Sequence, residues 1–278
     1  MKHYFQPKTW MAALDELDQQ SPSYSLNRAE SLRRTLITLA TVSISLLFLH
    51  YAKFTSSFYL FLSMIESALH LPSQYFSVMI EQTGWQQLIG FTWWTLCHFI
   101  AFILLPLFVI KVLFKESFTN YGWRWQETHK HWAGYVCLLA PILCFVYIAS
   151  LGTDFVRVYP FYKLTQRSFI DLILWEVIYL AQFVCLEFFF RGFMLQALRP
   201  ALGANAIWIM CVPYMMIHLP KLWPEATGAI LFGFFLGILA MRSRSIWGGV
   251  LVHAGVALSM DIAAIVRTGG LPTQFFVP

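Results

Sequence analysis

Long apolar runs alternate along this chain with short polar connections. A helix needs about 20 apolar residues to cross ~30 Å of hydrocarbon. Spans are predicted on this basis over residues 35–52, 88–110, 132–150, 169–190, 204–217, 229–241 and 246–266. The fifth and sixth are short, and are expected to extend into their flanks or to lie within the bundle. Residues 56–83 break the pattern, because Glu66, His70 and Pro72 interrupt the apolar run. One or two amphipathic helices lying on the outer interface are expected there; a full span would raise the count to eight. The first 33 residues are polar and mixed in charge, without the apolar stretch of a cleavable signal. They read as a soluble arm with a short helix over 10–17. The expected fold is therefore an all-α polytopic transmembrane bundle of about seven to eight spans. It is organised as an arm (1–33), N-terminal transmembrane helices (34–168) and a transmembrane core (169–278).

Composition supports the membrane reading. Of 278 residues, 58% are hydrophobic and 12% charged, and mean hydropathy is +0.61; soluble domains carry about 25% charge. The net charge of +5 does not indicate a nucleic-acid partner. The basic residues are spread over the ends of apolar runs, whereas a nucleic-acid footprint clusters them on one face. With the N-terminus inside, thirteen of the nineteen Lys and Arg fall on that side and six on the other. The positive-inside rule thus favours a cytoplasmic N-terminus, and a bacterial inner membrane is the expected location. The five cysteines lie within apolar runs without metal-ligand spacing and read as small core hydrophobes. Tryptophans gather mostly near predicted span ends, as an aromatic belt would.

Against this background the ionisable residues inside the runs stand out, because a charge at membrane depth is costly and marks function by default. Glu187-Phe188-Phe189-Phe190-Arg191-Gly192 closes the fourth run, and its four-residue spacing puts Glu187 and Arg191 on one helix face, in pairing range. His218 and His253 sit in two further segments. At 1.5 Å rise per residue, Glu187, His218 and His253 lie roughly 20, 22 and 14 Å from the inner ends of their segments. Three polar groups at similar depths suggest a polar chamber. Glu176 lies eleven residues before Glu187 and shares its face. Asp261 follows His253 by eight residues and could orient a histidine or face a pore. Glu225 follows Pro224 at a helix start, where that pair is ordinary; bent back, it would offer His218 a carboxylate. Gly233-xxx-Gly237 reads as a small-residue packing face. Two His and one Glu are also zinc donors, but His-Glu-x-x-His is absent and the donors sit on separate segments. Zinc is the weaker reading, and no cofactor is required.

Glu187-xxx-Arg191-Gly192, Tyr214-xxx-His218 and His253 at the start of the last run together resemble the CPBP intramembrane peptidases, which include CAAX prenyl endopeptidases and bacteriocin-processing and immunity proteins. That family's signature is Glu-Glu-xxx-Arg, then Phe-xxx-His, then His-xxx-Asn, and the resemblance covers about residues 170–266. Two positions depart from it: Leu186 stands where the first Glu belongs, and Ala257 where the Asn does. In the family the first Glu is assigned to water activation, and the last His and Asn to the oxyanion. The resemblance implies an intramembrane endopeptidase acting on a membrane-anchored or amphipathic peptide. Glu187 would serve as base, His218 as its partner, His253 as oxyanion donor and Arg191 as the group that fixes Glu187. Leu186 and Ala257 support a rival reading, a catalytically dead relative acting as a membrane scaffold or immunity factor. A proton-coupled transporter using Glu176, Glu187 and the histidines is a third reading, to which no inverted repeat lends support.

Overall fold

The computed structural model describes residues 7–19, 26–125 and 128–277. Among them every regular element is helical. Helix α1 (Pro7–Gln19) precedes α2 (Arg28–Ala52), α3 (Thr55–Ala68), α4 (Tyr75–Gln82) and α5 (Gln86–Phe114), the last containing two π-helical stretches. Then come α6 (Trp132–Ala149), the short α7 (Thr153–Val158) and the long α8. Helix α8 runs α-helical over Phe169–Glu187, π-helical over Phe188–Met194 and α-helical again over Leu195–Leu202. After a turn at Gly203–Asn205 follow α9 (Ala206–Met216), α10 (Trp223–Ser243) and α11 (Trp247–Thr268).

Among the described residues, six segments are long and apolar enough to cross a membrane. One, Phe169–Met216, is 48 residues long and joins the expected fourth and fifth spans through the turn at Gly203. Residues 56–83 form the two short helices α3 and α4, and neither reaches spanning length. Glu66, which interrupts the apolar pattern there, has a local task. Its buried carboxylate accepts the amides of Gln74 (3.0 Å) and Phe76 (2.9 Å) at the start of α4. Exposure is inverted relative to a water-soluble protein: Ile148, Val177 and Leu231 are 62%, 62% and 63% exposed, while Asp171, Glu187 and Arg191 are 0% exposed. That is the distribution expected where hydrocarbon is the solvent and polar groups must find partners inside. The chain is a multi-pass membrane protein.

The fold divides into two compact units that do not follow chain order. The first draws on residues up to Ser43, Leu105–Ala140 and Leu186–Val252. At its centre α9 packs on α10 through the predicted glycine face. A Cβ on Gly233 would lie 2.9 Å from the Tyr214 ring, and one on Gly237 2.9 Å from Ile207. Helix α1, the expected arm helix, docks on the same unit. Leu17 is buried, Glu16 pairs with Arg242 at 2.9 Å, and Asp18 accepts the Ala204 amide.

The second unit draws on Ile44–Leu104, Pro141–Cys185 and His253–Pro278. It holds two apolar clusters: Leu88, Tyr162, Trp175, Tyr179 and Ala257 form one, and Val146, Phe155, Tyr159 and Ala264 the other. Trp175 and Tyr179 stack at 4.8 Å.

Candidate active site

Helix α8 changes pitch just after Glu187. Glu187 ends its first α-helical stretch, and Arg191 sits inside the π-helical stretch Phe188–Met194, every residue of which is buried. Single π turns within α-helices recur at functional sites. The predicted pair forms: Arg191 Nη1 lies 3.1 Å from Glu187 Oε1, with both side chains 0% exposed. The contact is an ion pair by distance, without an aligned hydrogen bond between the two side chains. Arg191 instead lays its guanidinium on Tyr214, 4.0 Å from the ring centroid. Removing two such charges from water costs several kcal/mol each, and good geometry must offset it.

Tyr214, buried in α9, carries the arrangement onward. Its ring lies 4.7 Å from that of His218, and its carbonyl is 2.8 Å from His218 Nδ1. A carbonyl can only accept, so the neutral ring carries its proton on Nδ1 and presents Nε2 as an acceptor. His218 sits just past the end of α9, half-buried. Glu187, Arg191, Tyr214 and His218 all belong to the first unit, and the contacts from Glu187 to Arg191 to Tyr214 to His218 are continuous.

Two consecutive glycines at the start of α11 shape the other side. A Cβ on Gly249 would lie 2.2 Å from Glu187 Oε2, and one on Gly248 would lie 2.1 Å from the Cζ of Tyr135. Only glycines leave room for both groups. The first turn of a long helix also carries unpaired amides and the positive end of its dipole, a setting that favours a carboxylate. Tyr135 lies within coulombic reach of Glu187, is 2% exposed, and its hydroxyl is 3.1 Å from Ser243 Oγ. Neither Tyr135 nor the glycine pair was singled out from the sequence. A Gly-Gly opening the last span, with a spacing signature upstream, was the available signal.

The remaining candidates fall in different surroundings. His253 belongs to the second unit, one turn beyond Gly249 on α11. It is 7% exposed and stacks on Phe183 at 5.6 Å. Ala257, the position of the family's Asn, is 3% exposed inside the first apolar cluster of that unit. Asp261 accepts the Trp175 indole N–H at 2.6 Å and is fully buried. Glu176 lies within coulombic reach of Asp261, and its carboxylate oxygens are buried without a hydrogen-bond partner. Glu225 occupies the first turn of α10 and pairs with Lys221 at 3.5 Å, both about a quarter to a third exposed. Among the described residues, no three His, Cys, Asp or Glu side chains gather closely enough to hold a metal ion.

Residues 168–259 match the sequence model of the family described as type II CAAX prenyl endopeptidase Rce1-like. The match covers every residue of the Glu187–His218 arrangement and His253, and leaves out Tyr135 and Asp261. Neither the curated proteins nor the solved structures contain a match to the chain.

Proposed function

We propose, from a multi-pass membrane chain that belongs over residues 168–259 to the CPBP family of intramembrane peptidases, that this protein is an endopeptidase using Glu187 as its general base. The family is one of CAAX-type membrane proteases; the site and substrate are our reading. Glu187 takes a proton from water, the hydroxide attacks the scissile carbonyl, and that proton passes to the leaving amine as the bond breaks. His218, with Nε2 as acceptor, helps hold the water. The resemblance assigns to His253 the role of donor to the oxygen as negative charge develops on it. Arg191 fixes the carboxylate. The apolar exterior suits a membrane-anchored or amphipathic peptide, and the bilayer is its route to the site.

The observation that carries this reading is the fully buried Glu187–Arg191 pair, set where α8 passes into its π turn inside the matched segment. A second reading has its own support. Ala257 lies in apolar core and Leu186 offers no carboxylate, as in a non-proteolytic relative that binds a membrane partner.

The test is cleavage of a panel of membrane-anchored and amphipathic peptides by purified protein beside its Glu187→Gln variant, with and without chelator. We expect cleavage that falls by about 10²- to 10⁴-fold in the variant and survives chelation. Chelator-sensitive cleavage would put zinc at the site. A folded wild-type protein that cleaves nothing across the panel would favour the scaffold.

A further inference from the structure

Tyr135 comes from α6, outside the matched segment, yet its phenol reaches the same turn of α11 as the Glu187 carboxylate. The two glycines that accommodate them are consecutive, with Cα atoms 3.80 Å apart. A Cβ on Gly248 would meet three ring atoms of Tyr135 within 2.5 Å, and one on Gly249 would meet Oε2 and Cδ of Glu187 at 2.2 and 2.7 Å. Phenol and carboxylate therefore approach adjacent positions of one turn of α11, within coulombic reach of each other, and the whole arrangement is inside the first unit. Facing Glu187 are Arg191 on its own helix, Tyr214 from α9 and Tyr135 from α6.

The hydroxyl chemistry fits a donor held in reserve. Ser243 Oγ donates to the Ser245 carbonyl at 3.3 Å, and its single proton is thereby committed. In the 3.1 Å contact with Tyr135, the tyrosine is then the donor. If Ser243 turns its proton to Tyr135 instead, the phenol proton is free for another acceptor. Ser245 is itself held by Thr128 (2.8 Å) and by the Trp247 amide (3.2 Å), so the hydroxyl pair rests on a fixed base. Ser243 and Ser245 are 0% and 1% exposed.

We propose that Tyr135 is a positioning residue of the Glu187 site, its hydroxyl orienting the water that Glu187 activates. The proposal rests on the peptidase reading and supplies a hydrogen-bonding group that Ala257 cannot. Tyr135→Phe keeps the ring against Gly248 and deletes only the hydroxyl, so the variant is expected to fold. Its kcat should fall about 10- to 100-fold, the range for a hydrogen bond to a charged group, with KM unchanged. Ser243→Ala should lower kcat less. A second readout needs no turnover: the infrared carboxyl band of Glu187, assigned by its loss in Glu187→Gln, should shift in Tyr135→Phe. A wild-type protein without turnover would defeat the peptidase reading and leave that band to decide the role of Tyr135. An unshifted band with unchanged kcat, or an unshifted band alone in an inactive protein, would overturn the proposal.

Discussion

Among the described residues, two arginines pair with a buried carboxylate at four-residue spacing, and the two pairs are built in opposite ways. In the second unit Arg167 grips Asp171 through two nitrogens at 2.9 and 2.7 Å and sends a third to the Gly84 carbonyl at 2.9 Å. Asp171 also receives Ser168 Oγ at 2.7 Å and the Tyr162 hydroxyl. In the first unit Arg191 meets Glu187 once, at 3.1 Å and without an aligned hydrogen bond between them, and lies over the Tyr214 ring. Arg167 remains 21% exposed, whereas Arg191 is sealed. A saturated network has spent its hydrogen bonds on holding the fold. A fully sealed ion pair is costly to maintain, and groups held at such a cost collect at functional sites.

The largest effect should follow from removing one member of the sealed pair. Glu187→Gln leaves the Arg191 charge buried without its carboxylate, at a cost of about 3–5 kcal/mol. Adding Arg191→Met should restore most of that stability, and thermal unfolding of the two single variants and the double variant checks it. If the double variant were as unstable as the sum of the singles, the two residues would not be coupled and the contrast between the pairs would lose its basis.

A smaller effect is expected at the saturated pair. Arg167→Ala removes donors from Asp171 but leaves Tyr162 and Ser168 in place. The loss should be about 2–3 kcal/mol, below that of an uncompensated buried charge, with turnover per folded molecule unchanged. A fall in kcat without a fall in stability would mean that the saturated pair also serves the chemistry.

The smallest effect belongs to a third pair, outside the spans on its acidic side. Burial works against ionisation of Glu116, but hydrogen bonds from Arg34 (2.7 and 3.1 Å) and from Tyr121 (2.7 Å) hold its carboxyl below the ordinary value. A folded-state pKa below the unfolded one contributes stability above the unfolded pKa, near 4.3. That contribution is lost as pH falls through the folded value. Thermal stability should therefore decline below about pH 4.3, less steeply in Glu116→Gln. The slope should be modest, because the Glu116 side chain is 32% exposed and solvent screens it.

Much of this was legible in the residues themselves. Four-residue spacing foretold the Glu187–Arg191 contact, and Gly233-xxx-Gly237 foretold the α9–α10 packing, because both follow from helix geometry alone. The π stretch was not legible, since it changes the pitch without changing the letters. Nor was Tyr135, which reads as one more aromatic in an apolar run until the fold sets it against Gly248. Asp261 invited a role beside a histidine and holds the Trp175 indole, a partner 86 residues away that no local pattern announces. Glu66 looked like an interruption because its service to the α4 amides depends on a turn at residues 70–74.

The central claim is that the two acid–arginine pairs divide the work, one holding the fold and the other doing chemistry. It is tested most directly by measuring turnover per folded molecule in Glu187→Gln and Asp171→Asn side by side, on one membrane-anchored peptide that the wild-type protein cleaves. The account predicts a loss of about 10²-fold or more for Glu187→Gln and wild-type turnover for the folded fraction of Asp171→Asn. Wild-type turnover in folded Glu187→Gln would contradict it.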